Sequence, residues 1–276
     1  MNKYQALFRI RFTNSLQYRS AAFAGMVTQF VWGMLEIFAF RAFYQTDPAA
    51  FPMTFQQTVS YVWMQQAFLA LFMLWFFENE IFDAITSGTI AYELARPMDL
   101  YDRWFCQSAA NRCAKALLRC LPIFAIVFLL PVPYRLVLPE NLMSILLFML
   151  SLVLSLGVVV AVSMLIYIST FYTLSSLGVR VVMGAIGEFL AGAIIPLPFF
   201  PQPFRQIAEL LPFAAMQNVP LRIYSGDLVG HALWQMLGMQ LFWLVVLVAG
   251  GKFWMARALK RVIVQGVEDV SLLEIF

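Results

Sequence analysis

Glu36 and Glu188 each interrupt a long apolar run. A charged side chain at the centre of a bilayer costs about 2.5–3.5 kcal/mol even on insertion scales. An acid in such a place is paired, protonated or turned toward a cavity. Glu188 lies among Gly184, Gly187, Ala191 and Gly192, which share a helix face by three- and four-residue spacing and suit close helix contact. It reads either as a group lining a transport path or gate, or as an interhelical hydrogen bond that holds spans together. Glu36 reads as a partner of Arg41 or of another span. The other reactive types exclude more than they suggest. Lys3, Lys115, Lys252 and Lys260 are followed by Tyr, Ala, Phe and Arg, so no Gly-Lys-Ser/Thr phosphate loop exists. If ATP energises this chain, another chain binds it. His231 is the only histidine and heads an apolar run, which speaks against a hydrolase triad. Cys106, Cys113 and Cys120 fall seven residues apart, about 10 Å between neighbours on a helix. That is too far for a disulfide and awkward for a shared metal, so packed thiols are expected. No catalytic, cofactor or metal residues are assigned.

The elements that must position these acids are membrane helices. The chain is 62% apolar and 12% charged, against roughly 25% charged in soluble domains. A single all-α membrane domain over residues 1–276 is expected, with six transmembrane helices. Residues 1–20 read as an interfacial helix, with Tyr4, Leu7, Phe8 and Phe12 on one side, Arg9, Thr13 and Gln17 opposite, and Arg11 out of pattern unless it snorkels. Residues 21–77 hold spans one (Ala21–Tyr44) and two (Gln57–Phe77), the second ending in the aromatic run Trp75-Phe76-Phe77. The first run is of span length rather than the short core of a cleaved signal. Residues 116–195 hold span three (Ala116–Val132), four (Leu142–Ile168) and five (Leu174–Ile195). The last two come from the run Asn141–Val179, which carries no charge for 39 residues. One helix of that length would measure about 58 Å, so the run must fold back. Residues 196–230 contain six prolines and read as two short re-entrant helices, Pro203–Leu211 and Ala214–Tyr224, on the outer side. Span six (His231–Gly251) and a polar tail, 252–276, complete the chain.

Between spans two and three lies a charged island, residues 78–115 extended to Arg119, holding eleven of the 33 charged residues. Pro97 before Met98-Asp99-Leu100-Tyr101 reads as a helix start. Six spans put both ends on one side. Fourteen Lys and Arg fall on the side of the termini and the island, and four, Arg41, Arg135, Arg205 and Arg222, on the other. The positive-inside rule then places the termini and island in the cytoplasm.

At the island the chain resembles ABC exporter permeases of the ABC-2 type. The stretch Ile85–Trp104 is similar to that family's Ile-x-x-Gly…Leu-x-Arg-Pro course through Ile85, Gly88, Leu94, Arg96 and Pro97. A second similarity runs through Gly192, Pro196, Leu211-Pro212-Phe213, Pro220, Ile223 and Gly226. A third lies in Trp254, Lys260 and Gln265-Gly266, where relatives often carry Gly-Gly and this chain has Gly266-Val267. The resemblance implies a six-span permease in a bacterial inner membrane, paired with a second permease chain, identical or paralogous. Two ATPase subunits would hold ATP and Mg. It implies a coupling helix near Pro97–Phe105, presenting Pro97, Asp99, Tyr101, Asp102 and Arg103 beside Trp104 and Phe105 to the ATPase. Substrates across the family include drugs, lipids, glycans and peptides, and an amphiphile moved out of the cytoplasm is expected here. The partners are thus protein and lipid, not nucleic acid. The rival is a proton-coupled carrier using Glu36 and Glu188. A membrane scaffold is disfavoured by those two acids and by the broken connection before span six.

Overall fold

The computed structural model describes residues 2–273 apart from 18, 48–49, 140 and 174, and leaves the side chains of 19–22 and 261–273 undescribed. Pro48, Glu140, Leu174 as the start of span five, the Arg19 and Arg261 side chains and those of Gln265-Gly266 therefore lie outside the described residues. Within them the chain forms thirteen α-helices and no strand. Three of these, α2 (Arg19–Thr46), α8 (Leu142–Ser169) and α13 (Gly230–Leu273), contain segments long and apolar enough to cross a membrane.

Helix α8 is the central post. Asn141 caps it by accepting the Ser144 N–H at 2.7 Å, and its 28 residues span about 42 Å. The expected span, Leu142–Ile168, stops one residue short of it. From Val158 to Met164 every side chain is buried, because α13, α12, α7 and α11 surround it. Gly157 admits Leu244 of α13, whose Cδ1 would stand 2.7 Å from an added Cβ.

Span one, expected at Ala21–Tyr44, falls within α2, while spans two, three, five and six depart from expectation. The second is broken into α3 (Phe55–Ala67) and α4 (Leu69–Phe72), ending at Phe72 rather than Phe77. Every residue from Thr58 to Ala67 is buried, so α3 is a core helix, walled by α2, α7 and α12. After α5 (Asn79–Thr86) and α6 (Ile90–Leu94), the expected coupling helix and span three are one helix, α7 (Leu100–Val127). It starts three residues past Pro97 because Asp99 caps it, accepting the Asp102 N–H at 3.0 Å. The three cysteines lie along α7 as free thiols.

Helix α9 (Leu177–Leu190) is shorter than the expected fifth span, about 21 Å long. It gives way to a turn at Gly192, whose φ of +78° favours glycine. A 3₁₀ turn, Leu197–Phe199, then leads to α10 (Gln202–Leu210), α11 (Pro212–Met216) and α12 (Asn218–Ser225). Two short helices become three because the backbone breaks at Gln217. Residues Asn218–Tyr224 of α12 are all buried, so protein encloses this element. Helix α13 continues past Gly251 through the tail, its 44 residues measuring about 66 Å, twice the hydrocarbon thickness. Helix α1 (Lys3–Ser15) lies along α7. Its off-pattern Arg11 is held by Glu80 at 2.6 Å.

Candidate functional site

The charged island folds as a hairpin of α5 and α6 that turns at Gly88, φ +74°. Its apolar side, Ile81, Phe82 and Ile90, packs with Leu100, Trp104 and Tyr167. The outward side carries Thr86, Ser87, Thr89, Tyr92, Leu94 and Arg96, with Tyr92 77% exposed. Of the residues expected to face a partner, Pro97 and Asp99 are exposed. Tyr101, Arg103 and Trp104 are not, at 2, 4 and 1%. Glu93 is the reason for two of them: it ion-pairs with Arg103, and its Oε2 accepts from Trp104 Nε1 at 3.3 Å. Both side chains thus brace α6 from beneath. Tyr101 is drawn the other way, against α13, where an added Cβ on Gly251 would stand 2.7 Å from its ring. Asp102 pairs with Lys252 at 2.6 Å. The signals for this in the chain are Glu93 and the bare Gly251, neither of which carries chemistry of its own.

Three further anchors tie the hairpin down. The Glu80 carboxylate accepts from Arg11 at 2.6 Å and from Gln107 at 2.7 Å. The Arg180 guanidinium at the start of α9 lies 4.6 Å from the Phe82 ring and 5.1 Å from the Phe77 ring. Its Nη2 donates to Asn79 Oδ1 at 3.3 Å. Lys3 donates to the Pro97 carbonyl at 2.8 Å. Helices α1, α7 and α9 therefore all feel a displacement of residues 79–97.

Arg112 explains why the second span stops early. It is buried on α7, and its Nη1 donates to the Met73 carbonyl at 2.7 Å while Nη2 donates to Phe76 O at 2.9 Å and Ser163 Oγ at 3.1 Å. The carbonyls left over when a helix ends must find donors. A single guanidinium here supplies them and lets the chain leave the helix under cover. Beside it the Glu78 N–H donates to the Tyr167 hydroxyl at 2.8 Å.

The irregular segment after α9 is satisfied in the same way. Tyr61 donates to Gly192 O at 3.2 Å and Gln65 to Ala193 O at 2.7 Å. Gln240 donates to Ala215 O at 2.8 Å, and Ser155 donates to Met216 O. Non-helical backbone at membrane depth requires such partners. Buried Arg222 joins Glu209 at 2.7 Å and Asp227 at 2.5 Å, and Arg205 reaches Glu209 at 2.9 Å. This four-charge network holds α10 to α12.

Glu36 and Glu188, the two acids of the apolar runs, are not brought together. Glu36 accepts from Gln66 Nε2 at 3.5 Å, and its other oxygen has no partner among the described residues. Arg41 is not its partner; it reaches the Tyr134 hydroxyl instead. Glu36 lines a cleft of about 400 Å³ with Phe40, Phe43, Phe51, Ile194 and Phe199. Glu188 is half-buried on α9 and is not part of that lining. The adjacent Gly187 packs so tightly on Leu74 that an added Cβ would stand 2.5 Å from its Cδ1. Gly184, one turn earlier, has nothing within 4 Å of such a Cβ.

Compared with known proteins, residues 30–266 match a family model described as ABC-2 family transporter protein. A search of curated proteins finds no match.

Proposed function

The chain belongs to the ABC-2 transporter family, and from that premise we propose that it is the transmembrane half of an ATP-driven exporter. Permeases of this family are the membrane components of ABC transporters and work with ATPase subunits. In this reading ATP and Mg reside on those subunits. A second permease chain completes the path, and an amphiphile leaves the cytoplasm. Six segments cross a bacterial inner membrane: α2, α3–α4, α7, α8, α9 and α13. Both termini are cytoplasmic.

The observation that carries the reading is the hairpin α5–α6. It presents Tyr92, Leu94, Arg96 and Pro97 outward while Glu80, Glu93 and Arg180 fasten it to the helices behind. A docking element has to be rigid for force to pass through it, and aromatic and arginine residues are the usual energetic anchors of an interface. Tyr92→Ala with Arg96→Glu is expected to leave insertion intact and to remove ATPase copurification, or the coupling of hydrolysis to export. A variant that expresses normally, retains its ATPase and exports at the wild-type rate would move the docking site elsewhere. A second reading, a proton-coupled carrier, is favoured by the half-satisfied Glu36 carboxylate in its cleft.

A further inference from the structure

Between α1, the peptide 76–80 and α7 lies a cleft of about 320 Å³, lined by Arg11, Lys115, Arg119, Glu78, Glu80 and Phe76 among others. Its three cations exceed its two acids, and they are unequally satisfied. Arg11 and Gln107 share Glu80. Lys115 comes within only 3.9 Å of Glu78. Arg119 has no ion pair and no side-chain hydrogen bond among the described residues. Its guanidinium lies 5.2 Å from the centre of the Phe76 ring. It also rests against the bare backbone of Gly25 on α2, where a Cβ would stand 3.1 Å from Cζ. Gly25 therefore leaves the space in which a cation without a carboxylate is kept.

The position of the cleft says what such a cation is for. Lys115 and Arg119 are one turn apart on the same face of α7. Further along that face come Leu118, which lines the cleft, then Pro122 and the exposed Ile126, where the helix turns apolar. The polar cleft thus sits at the boundary where a bilayer places its phosphates. An arginine fork with a neighbouring lysine matches a phosphate diester, and Leu118 and Ile126 offer the same face of α7 to its acyl chains. We propose that this cleft binds the phosphate headgroup of an anionic phospholipid, which bridges α1 to α7 next to the coupling hairpin. The bound lipid supplies the anion that Arg119 lacks and shares Lys115 with Glu78.

The test uses the purified full chain in detergent and needs neither an ATPase nor transport. Phosphatidylglycerol, phosphatidylcholine and glycerol phosphate are titrated, with binding read by native mass spectrometry and by the shift in melting temperature. Phosphatidylglycerol is expected to bind and stabilise. Lys115→Gln with Arg119→Gln should weaken it about thirtyfold, the loss of two cations near a charged lipid surface. Equal binding of phosphatidylcholine, or equal binding by the double variant, overturns the proposal. Glycerol phosphate binding as tightly as the lipid would make the ligand a soluble phosphate and overturn it as well. If the double variant does not fold, Asn14→Asp decides. Asn14 is exposed on α1 and lines the same cleft, so a carboxylate there should weaken binding by about fivefold through repulsion. Unchanged affinity in that variant counts against the site.

Discussion

Arg112 does what a helix C-cap usually does, from another helix. Removing the guanidinium leaves the Met73 and Phe76 carbonyls and the Ser163 hydroxyl without their donor. An unsatisfied buried polar group costs about 1–3 kcal/mol. Arg112→Met is therefore expected to lower stability by about 3 kcal/mol or more, measured as detergent-resistant unfolding. Arg112→Lys, with one point-like head, should recover only part of that loss. A methionine variant as stable as wild type would mean that the broken end of α4 finds other donors. Nothing in the sequence singles out this residue from the other four basic ones of the island, because what distinguishes it is the carbonyls that the fold gathers around it. Glu36 and Glu188 were legible as unusual, since an acid in an apolar run stands out wherever it folds. Their partners were not. Gln66 is a neutral residue 30 positions from Glu36, and no pattern of charge could point to it.

At the scale of elements, legibility followed how far a helix depends on its neighbours. The span at α8 could be read almost to the residue because it is set by hydropathy and by one Asn141 cap. The second and fifth spans could not, because tertiary donors end them: Arg112 for α4, and Tyr61 with Gln65 beyond α9. The island misled for a related reason. Tyr101, Arg103 and Trp104 look like surface residues on a helix begun at Pro97, until Glu93 and Gly251 draw them inward. What links the hairpin to α9 is Arg180, stacked on Phe77 and Phe82. Each such contact contributes about 0.5–1 kcal/mol near a surface, so Arg180→Ala should fold and still bind its ATPase. The expected defect is fewer substrate molecules moved per ATP hydrolysed, because α9 no longer follows α5. An unchanged ratio would show that α1 and α7 carry the coupling without α9.

At the scale of the molecule, the question is where the energy enters. The chain has no phosphate-binding lysine loop, and its most exposed large side chain in the hairpin, Tyr92, is on the face turned away from the helices. Both facts suit a chain driven from outside through residues 79–97. The cleft at Glu36 suits a different engine, one in which a proton enters and leaves a carboxylate with a single weak partner. The two differ in what purified protein can do alone. As an ABC permease subunit the isolated chain in liposomes should neither bind nor hydrolyse ATP, and a proton gradient should drive no flux through it. Adding the ATPase subunits and ATP should start transport, and Glu36→Gln should leave the ATP requirement in place even if it slows the rate. Gradient-driven flux by this chain alone, abolished by Glu36→Gln, would reverse the assignment. It would make the hairpin a structural brace and the Glu36 cleft the working site.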